Sequence, residues 1–256
     1  MTEYRNIKAV KDNGVARITL ARPKHNVFNI DMLKEFNTEL ASLIEDRDLK
    51  CIVISGEGKS WCAGVEVGDH KPEAAPEMIA TFDRVFELIE KLEVPVIAAV
   101  HGACLGGGME LAIACDIIIA SKQAVFGQPE IKLGFLPPYA AIRLPQLVGP
   151  SKAIEICTSG KRYTAKEGLC MGFISQAVDD DQFSAAVEAM IKEITDNSPL
   201  IIRLNKRAVK AHIGLSFSKA LEGVSGLFLN TLMKTEDTLE GIRSFEEKRK
   251  PLWKNR

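Results

Sequence analysis

The chain has 256 residues, 46% hydrophobic and 26% charged, which suits one sizeable domain with a real core and argues against disorder as its main state. Its formal net charge is −1, so no broad basic field is available for nucleic acid or an anionic membrane.

In chain order, residues 7–10 and 15–20 flank Asp12-Asn13-Gly14 and predict a β-hairpin, because Asn-Gly supplies the positive φ of a tight turn. Residues 31–46 carry Met32, Leu33, Phe36, Leu40 and Leu43 at helical spacing. The β-branched run 51–55 predicts a buried strand, and residues 77–92 repeat the helical pattern through Phe82, Val85, Phe86 and Ile89. Residues 95–100 and 115–120 predict two more apolar strands. Strands of this kind separated by helices imply a mainly parallel sheet with both faces covered. Beyond Pro150 the pattern is mostly helical, over 151–158, 165–171, 180–195, 199–212 and a long region 216–249. The expected organisation is an α/β core over 1–195 and a helical C-terminal region over 196–256.

The six cysteines form no C-x-x-C pair and sit among apolar or small neighbours, as reduced buried thiols do. The first residues, Met-Thr-Glu-Tyr-Arg-Asn, lack a signal-peptide apolar run, and residues 94–120 are too interrupted to span a membrane. A cytoplasmic protein is expected. The four histidines show no metal-ligand spacing. Gly56-Glu57-Gly58-Lys59-Ser60 lacks the earlier glycine of a phosphate-binding loop, and Ser216-Phe217-Ser218-Lys219 reads as a helix start.

Two segments carry chemistry. In His101-Gly102-Ala103-Cys104-Leu105-Gly106-Gly107-Gly108-Met109-Glu110-Leu111, a strand gives way to three glycines and an apolar helix. Taken alone, this fits a tight strand-to-helix turn as well as a site where free N–H groups meet negative charge. Glu110 lies inside an apolar run, where burial raises a carboxyl pKa unless the group is paired. In Phe126-Gly127-Gln128-Pro129-Glu130-Ile131, Glu130 follows a proline at a helix start, a position that also suits a glutamate for electrostatic reasons alone.

Set in order, Ile18-Thr19-Leu20-Ala21-Arg22-Pro23-Lys24, Cys62-Ala63-Gly64-Val65-Glu66, Gly106 to Glu110, Cys115-Asp116, Phe126 to Glu130 and Glu240 to Arg249 resemble the crotonase (enoyl-CoA hydratase/isomerase) superfamily over nearly the whole chain. The resemblance implies a crotonase fold of repeated ββα units and a lyase adding water to an α,β-unsaturated acyl-CoA thioester. It implies backbone donors at Ala63 and Gly107 forming an oxyanion hole for the thioester oxygen. It also implies Glu110 and Glu130 as proton-transfer groups, with water assigned to Glu110 and the α-carbon proton to Glu130. The residues themselves leave that division open. Lys24, Val27, Trp61, Phe135, Tyr139, Phe245 and Lys248 are expected at the substrate, the last two reaching a neighbouring subunit's ligand. No metal or redox cofactor is implied. The expected partners are an acyl-CoA and further copies of the chain, as a homotrimer or a dimer of trimers.

One departure from the family bears on substrate. Where hydratases of this type carry a Pro-Gly-x-Gly-Gly loop, this chain has Phe135-Leu136-Pro137-Pro138-Tyr139-Ala140-Ala141, one residue shorter. Two stiff prolines and two rings there imply a reshaped acyl pocket. The combination resembles cyclic dienoyl-CoA hydratases of anaerobic aromatic degradation, acting on cyclohexa-1,5-diene-1-carbonyl-CoA. The alternatives are a general linear enoyl-CoA hydratase, a double-bond isomerase, and a non-catalytic crotonase-like binding protein. Both retained glutamates favour hydration.

Overall fold

The computed structural model describes residues 4–256. The chain opens with the hairpin β1 (Ile7–Asp12) and β2 (Val15–Leu20), paired antiparallel from Ile7↔Leu20 to Asp12↔Val15. Asn13 and Gly14 at its turn both have positive φ, as the Asn-Gly sequence requires. Helix α1 (Ile30–Leu43) follows, capped by the Asn29 side chain, which accepts from the Met32 amide.

From there the chain repeats one unit three times. Strand β3 (Cys51–Gly56) leads to β4 (Ser60–Cys62) and helix α2 (Ala75–Lys91). Strand β5 (Val96–Val100) leads to β6 (Ala103–Leu105) and helix α3 (Gly107–Ala114). Strand β7 (Ile117–Ser121) leads to β8 (Val125–Gly127), a short 3-10 turn Pro129–Leu133, and helix α4 (Pro138–Val148). Then come α5 (Pro150–Ser159), β9 (Arg162–Thr164), α6 (Ala165–Met171), β10 (Gln176–Val178) and α7 (Phe183–Thr195).

The first strand of each unit joins a six-stranded sheet of order β1-β2-β3-β5-β7-β10. The second joins a four-stranded sheet of order β4-β6-β8-β9. In the large sheet only β1 and β2 are antiparallel; in the small one only β8 and β9 are. This is the α/β architecture of repeated ββα units expected from the sequence. The small sheet was not legible in the sequence, because strands of three residues are too short for a two-residue period to register.

Both faces of the large sheet are apolar, so its strands read as continuous hydrophobic runs. Ile18, Leu20, Ile52, Ile54, Val96, Ala98 and Ile118 face the main core with Phe36, Val85 and Met109. The alternating set Val15, Cys51, Val53, Ile97, Ala99 and Ile119 packs instead under Val187 and Ile191 of α7.

The C-terminal part comprises α8 (Pro199–Lys210), α9 (Phe217–Asn230) and α10 (Glu236–Glu246). Thr231 to Thr235 interrupts the long helical region expected over 216–249 with a 3-10 turn. Helix α8 is anchored to the sheet ends by Lys206, whose Nζ donates to Asp116 Oδ2 (2.6 Å) and to the Val94 carbonyl (2.7 Å). No helix among the described residues is long and apolar enough to cross a membrane. All six cysteines are free thiols; Cys170, contrary to expectation, is exposed.

Candidate active site

The triple glycine sits where β6 ends and α3 begins. Gly106 has φ +54°, and a Cβ there would come within 2.3 Å of Glu130 Oε1, so glycine is required for the Glu130 carboxylate to lie against this turn. A Cβ on Gly107 would meet the Val65 side chain at 2.6 Å, which places the start of α3 beside the loop that follows β4. Gly107 occupies the first position of α3, where a helix has N–H groups without intrahelical partners. Burial and backbone geometry therefore bring Gly107, Glu110, Glu130 and Val65 together.

The other donor expected, Ala63, is spent. Its N–H donates to the His25 carbonyl at 3.0 Å. Two residues on, Val65 pairs with Phe28 as a parallel bridge, with Phe28 N–H donating to the Gly64 carbonyl (2.8 Å) and Glu66 N–H to the Phe28 carbonyl (2.7 Å). In a parallel pair the bridged residue's own N–H points to the opposite side. The Val65 amide thus faces away from Phe28 and enters no main-chain hydrogen bond among the described residues. The loop's available donor is Val65, not Ala63.

Glu110 is 3% exposed and accepts through Oε1 from two amides, Tyr139 (2.8 Å) and Ala140 (2.9 Å), in the first turn of α4. Burial pushes its carboxyl up to about 7, the α4 amides oppose that rise, and nearby Glu130 adds to it. Glu130, half-buried, is also pushed up by burial to about 7. In the amide orientation that satisfies both its ends, fully buried Gln128 donates to both Glu130 carboxylate oxygens, at 3.2 and 3.0 Å. Two carboxyls poised near neutrality beside unpaired amides can exchange protons with a ligand whose oxygen the amides hold. Among the described residues no three His, Cys, Asp or Glu side chains converge as a metal site would need.

The expected substrate residues separate into groups. Lys24 is exposed, beside a tightly tied loop: Asn26 is buried and its amide donates to the Glu57, Ser60 and Trp61 carbonyls. Arg22 reaches the Val27 carbonyl at 2.6 Å and pairs with Glu66 at 3.1 Å, linking this loop to the one bearing Val65. Trp61 lines nothing: it is fully buried with its indole N–H donating to the Ile54 carbonyl, and the expectation of a ligand contact is corrected to a core role. Phe28 is likewise core, against Phe36 and Phe82. Phe135, 37% exposed, lies against His70 with ring centroids 4.8 Å apart, joining the Val65 loop to the Glu130 segment.

Tyr139 contributes its amide to Glu110, but its ring stacks on Phe86 of α2 at 3.8 Å and turns toward a cavity bounded by α4, α7 and α8. Phe245, 86% exposed, and Lys248 stand on or just after α10, which packs with α8; within one copy no described contact brings them to Glu110 or Glu130. Val65, Asn26 and Gln128 escaped the sequence reading. The Phe126 to Glu130 string contains Gln128, but only the fold buries it against Glu130.

A family model described as enoyl-CoA hydratase/isomerase matches residues 10–256. The chain is 34% identical over 254 residues to the short-chain-enoyl-CoA hydratase of Clostridium acetobutylicum, covering 97% of each. It is 31% identical over 246 residues to the cyclohexa-1,5-dienecarbonyl-CoA hydratase of Thauera aromatica, covering 96% of this chain and 95% of that protein. The crystal structure of an enoyl-CoA hydratase from Bacillus anthracis superposes with a TM-score of 0.93 at 29% identity, covering 98% of this chain and 100% of that one.

Proposed function

This chain belongs to the enoyl-CoA hydratase/isomerase family, and from that premise we propose that it is a lyase that adds water across the α,β double bond of an acyl-CoA thioester. The observation that carries the reading is the pair Glu110 and Glu130, both held near neutral pKa at one turn. A double-bond isomerase needs one such group; hydration uses two.

The thioester oxygen accepts from the N–H groups of Val65 and Gly107, so the negative charge that develops on it meets two fixed donors. In this mechanism the attacking water enters between the carboxyls. Ionised Glu110, steadied by the Tyr139 and Ala140 amides, takes one proton from it as the oxygen bonds to the β-carbon. Protonated Glu130 delivers its proton to the α-carbon, and the enolate-like charge collapses back to the thioester. The net change is one water added, and proton exchange between the two glutamates resets the site.

The acyl group is proposed to be compact and cyclic, a cyclohexadienoyl thioester of aromatic degradation. Support comes from the similarity to the Thauera aromatica hydratase and from the stiff Pro137-Pro138 segment, the His70–Phe135 contact and the Phe86–Tyr139 stack. Rigid walls suit a rigid guest, because neither partner loses much freedom on binding. Lys24, on its exposed loop, would meet CoA phosphates. Phe245 and Lys248 would meet the CoA of a neighbouring copy in a trimer or dimer of trimers, and a reducing cytoplasm suits the six free thiols.

The test is direct incubation with cyclohexa-1,5-diene-1-carbonyl-CoA and with crotonyl-CoA, following loss of conjugated thioester absorbance and the mass of added water. The expected result is hydration of both, with higher kcat/KM for the cyclic diene. Faster hydration of crotonyl-CoA would reduce the reading to a general enoyl-CoA hydratase.

A further inference from the structure

A cavity of about 980 Å³ lies between α4, α7 and α8, with Ala114, Tyr139, Ile142, Met190 and Ile194 on its apolar side. It is large enough and apolar enough to hold an alkyl chain. Its floor comes within one side chain of Glu110. Ala114 follows Glu110 by four residues and so shares its face of α3. Tyr139 touches both spaces, with its amide on Glu110 and its ring on the cavity. That ring is clamped by Phe86 at 3.8 Å and nearly parallel, with an interplanar angle of 9°. Phe86 in turn packs on Phe82, which approaches the start of α3 at Gly107. The ring chain Phe82–Phe86–Tyr139 therefore runs from the proposed oxyanion donor to the residue that holds Glu110.

We propose that Tyr139 is the residue that sets acyl length: its ring closes the acyl end of the site against this cavity, admitting compact acyl groups and excluding extended chains. The proposal rests on the hydratase reading and refines it. With the ring gone, the apolar cavity becomes a continuation of the site and can receive the methylenes of a longer enoyl thioester. The main-chain N–H that holds Glu110 is kept in any variant other than proline.

The experiment compares the full-length protein with Tyr139→Ala, Tyr139→Leu and Tyr139→Phe, using 2-butenoyl-CoA and 2-decenoyl-CoA, and binding of butyryl-CoA and decanoyl-CoA by calorimetry. Circular dichroism melting selects the variants that fold; the leucine variant preserves packing on Phe86 should alanine not. The expected outcome is that the alanine or leucine variant raises the long-to-short ratio of kcat/KM by about tenfold or more, the scale at which a hydrophobic pocket discriminates methylenes. The phenylalanine variant, which keeps the ring, retains the parent ratio. An unchanged ratio in a folded Tyr139→Ala or Tyr139→Leu protein, or a parent protein that already prefers the longer substrate, overturns the proposal. Failure of the parent to hydrate any enoyl-CoA would sink the hydratase reading instead, and the saturated thioesters would still report whether Tyr139 sets length.

Discussion

The proposed chemistry rests on side chains that their surroundings hold away from their ordinary ionisation. Glu110 and Glu130 are each pushed by burial to about 7, and the charge of Glu130 adds to the rise at Glu110, so both groups titrate near neutrality. The base must be ionised, so the rate falls at low pH; the acid must be protonated, so it falls at high pH. The expected pH profile of kcat/KM is a bell whose limbs bracket neutrality. Glu110→Gln and Glu130→Gln should each lower kcat by about 10²–10⁴-fold with KM little changed, and steady-state kinetics on a CoA thioester would check it. Near-parent rates in either folded variant would remove the paired-carboxyl mechanism. Gly106 offers a test that leaves both glutamates in place. A methyl group there collides with the Glu130 carboxylate, so Gly106→Ala should displace it and reduce kcat by at least about a hundredfold. Full activity in that variant would mean that Glu130 does not work from this position.

At the scale of elements, the short, proline-rich segment that departs from the family pattern becomes the first turn of α4. Its amides face Glu110 because the free N–H groups of a helix start suit a carboxylate. The loop that looked like a pocket wall is thus also a support for the Glu110 carboxyl. Helix α8 is held by a more costly device. Lys206 is only 7% exposed at its side chain, and burial, joined by the like charge of Lys210, drives its ammonium down from its ordinary pKa while Asp116 opposes the fall. The Asp116 carboxylate also accepts from the Val96 amide at 2.8 Å. Asp116→Ala would leave the Lys206 charge buried without its partner, a change that typically costs about 3–5 kcal/mol. Urea unfolding should show that loss. A change near zero would mean that α8 is held by its apolar contacts alone.

For the whole molecule, the apolar face of α9 is left largely uncovered by the described residues of one copy. Phe217 is 80% exposed, and Leu221, Phe228 and Leu229 are exposed beside it. Closed symmetric assembly is the common way to bury such a face. The protein is expected to run as a trimer or hexamer in light scattering, and Phe217→Asp with Leu221→Asp to shift it to smaller species. A parent protein that remains monomeric at working concentration would count against the assembly and against Phe245 and Lys248 as contacts to a neighbour's CoA.

The sequence by itself determined most of the elements long enough to carry a period, the parallel sheet with two apolar faces, and the two segments that carry Glu110 and Glu130. Those features are local: side-chain periodicity, an Asn-Gly turn and short ordered strings survive without knowledge of what lies across the fold. Tertiary structure decided everything that depends on pairing. Register against Phe28 leaves the Val65 amide available while His25 occupies that of Ala63. The three-residue strands of the second sheet exist only because each has a neighbour. Trp61 became core, and Tyr139 turned its ring toward Phe86, because a side chain's partner across the fold decides where it points. An amide's availability and a ring's facing are properties of the space between segments, and no single segment encodes them.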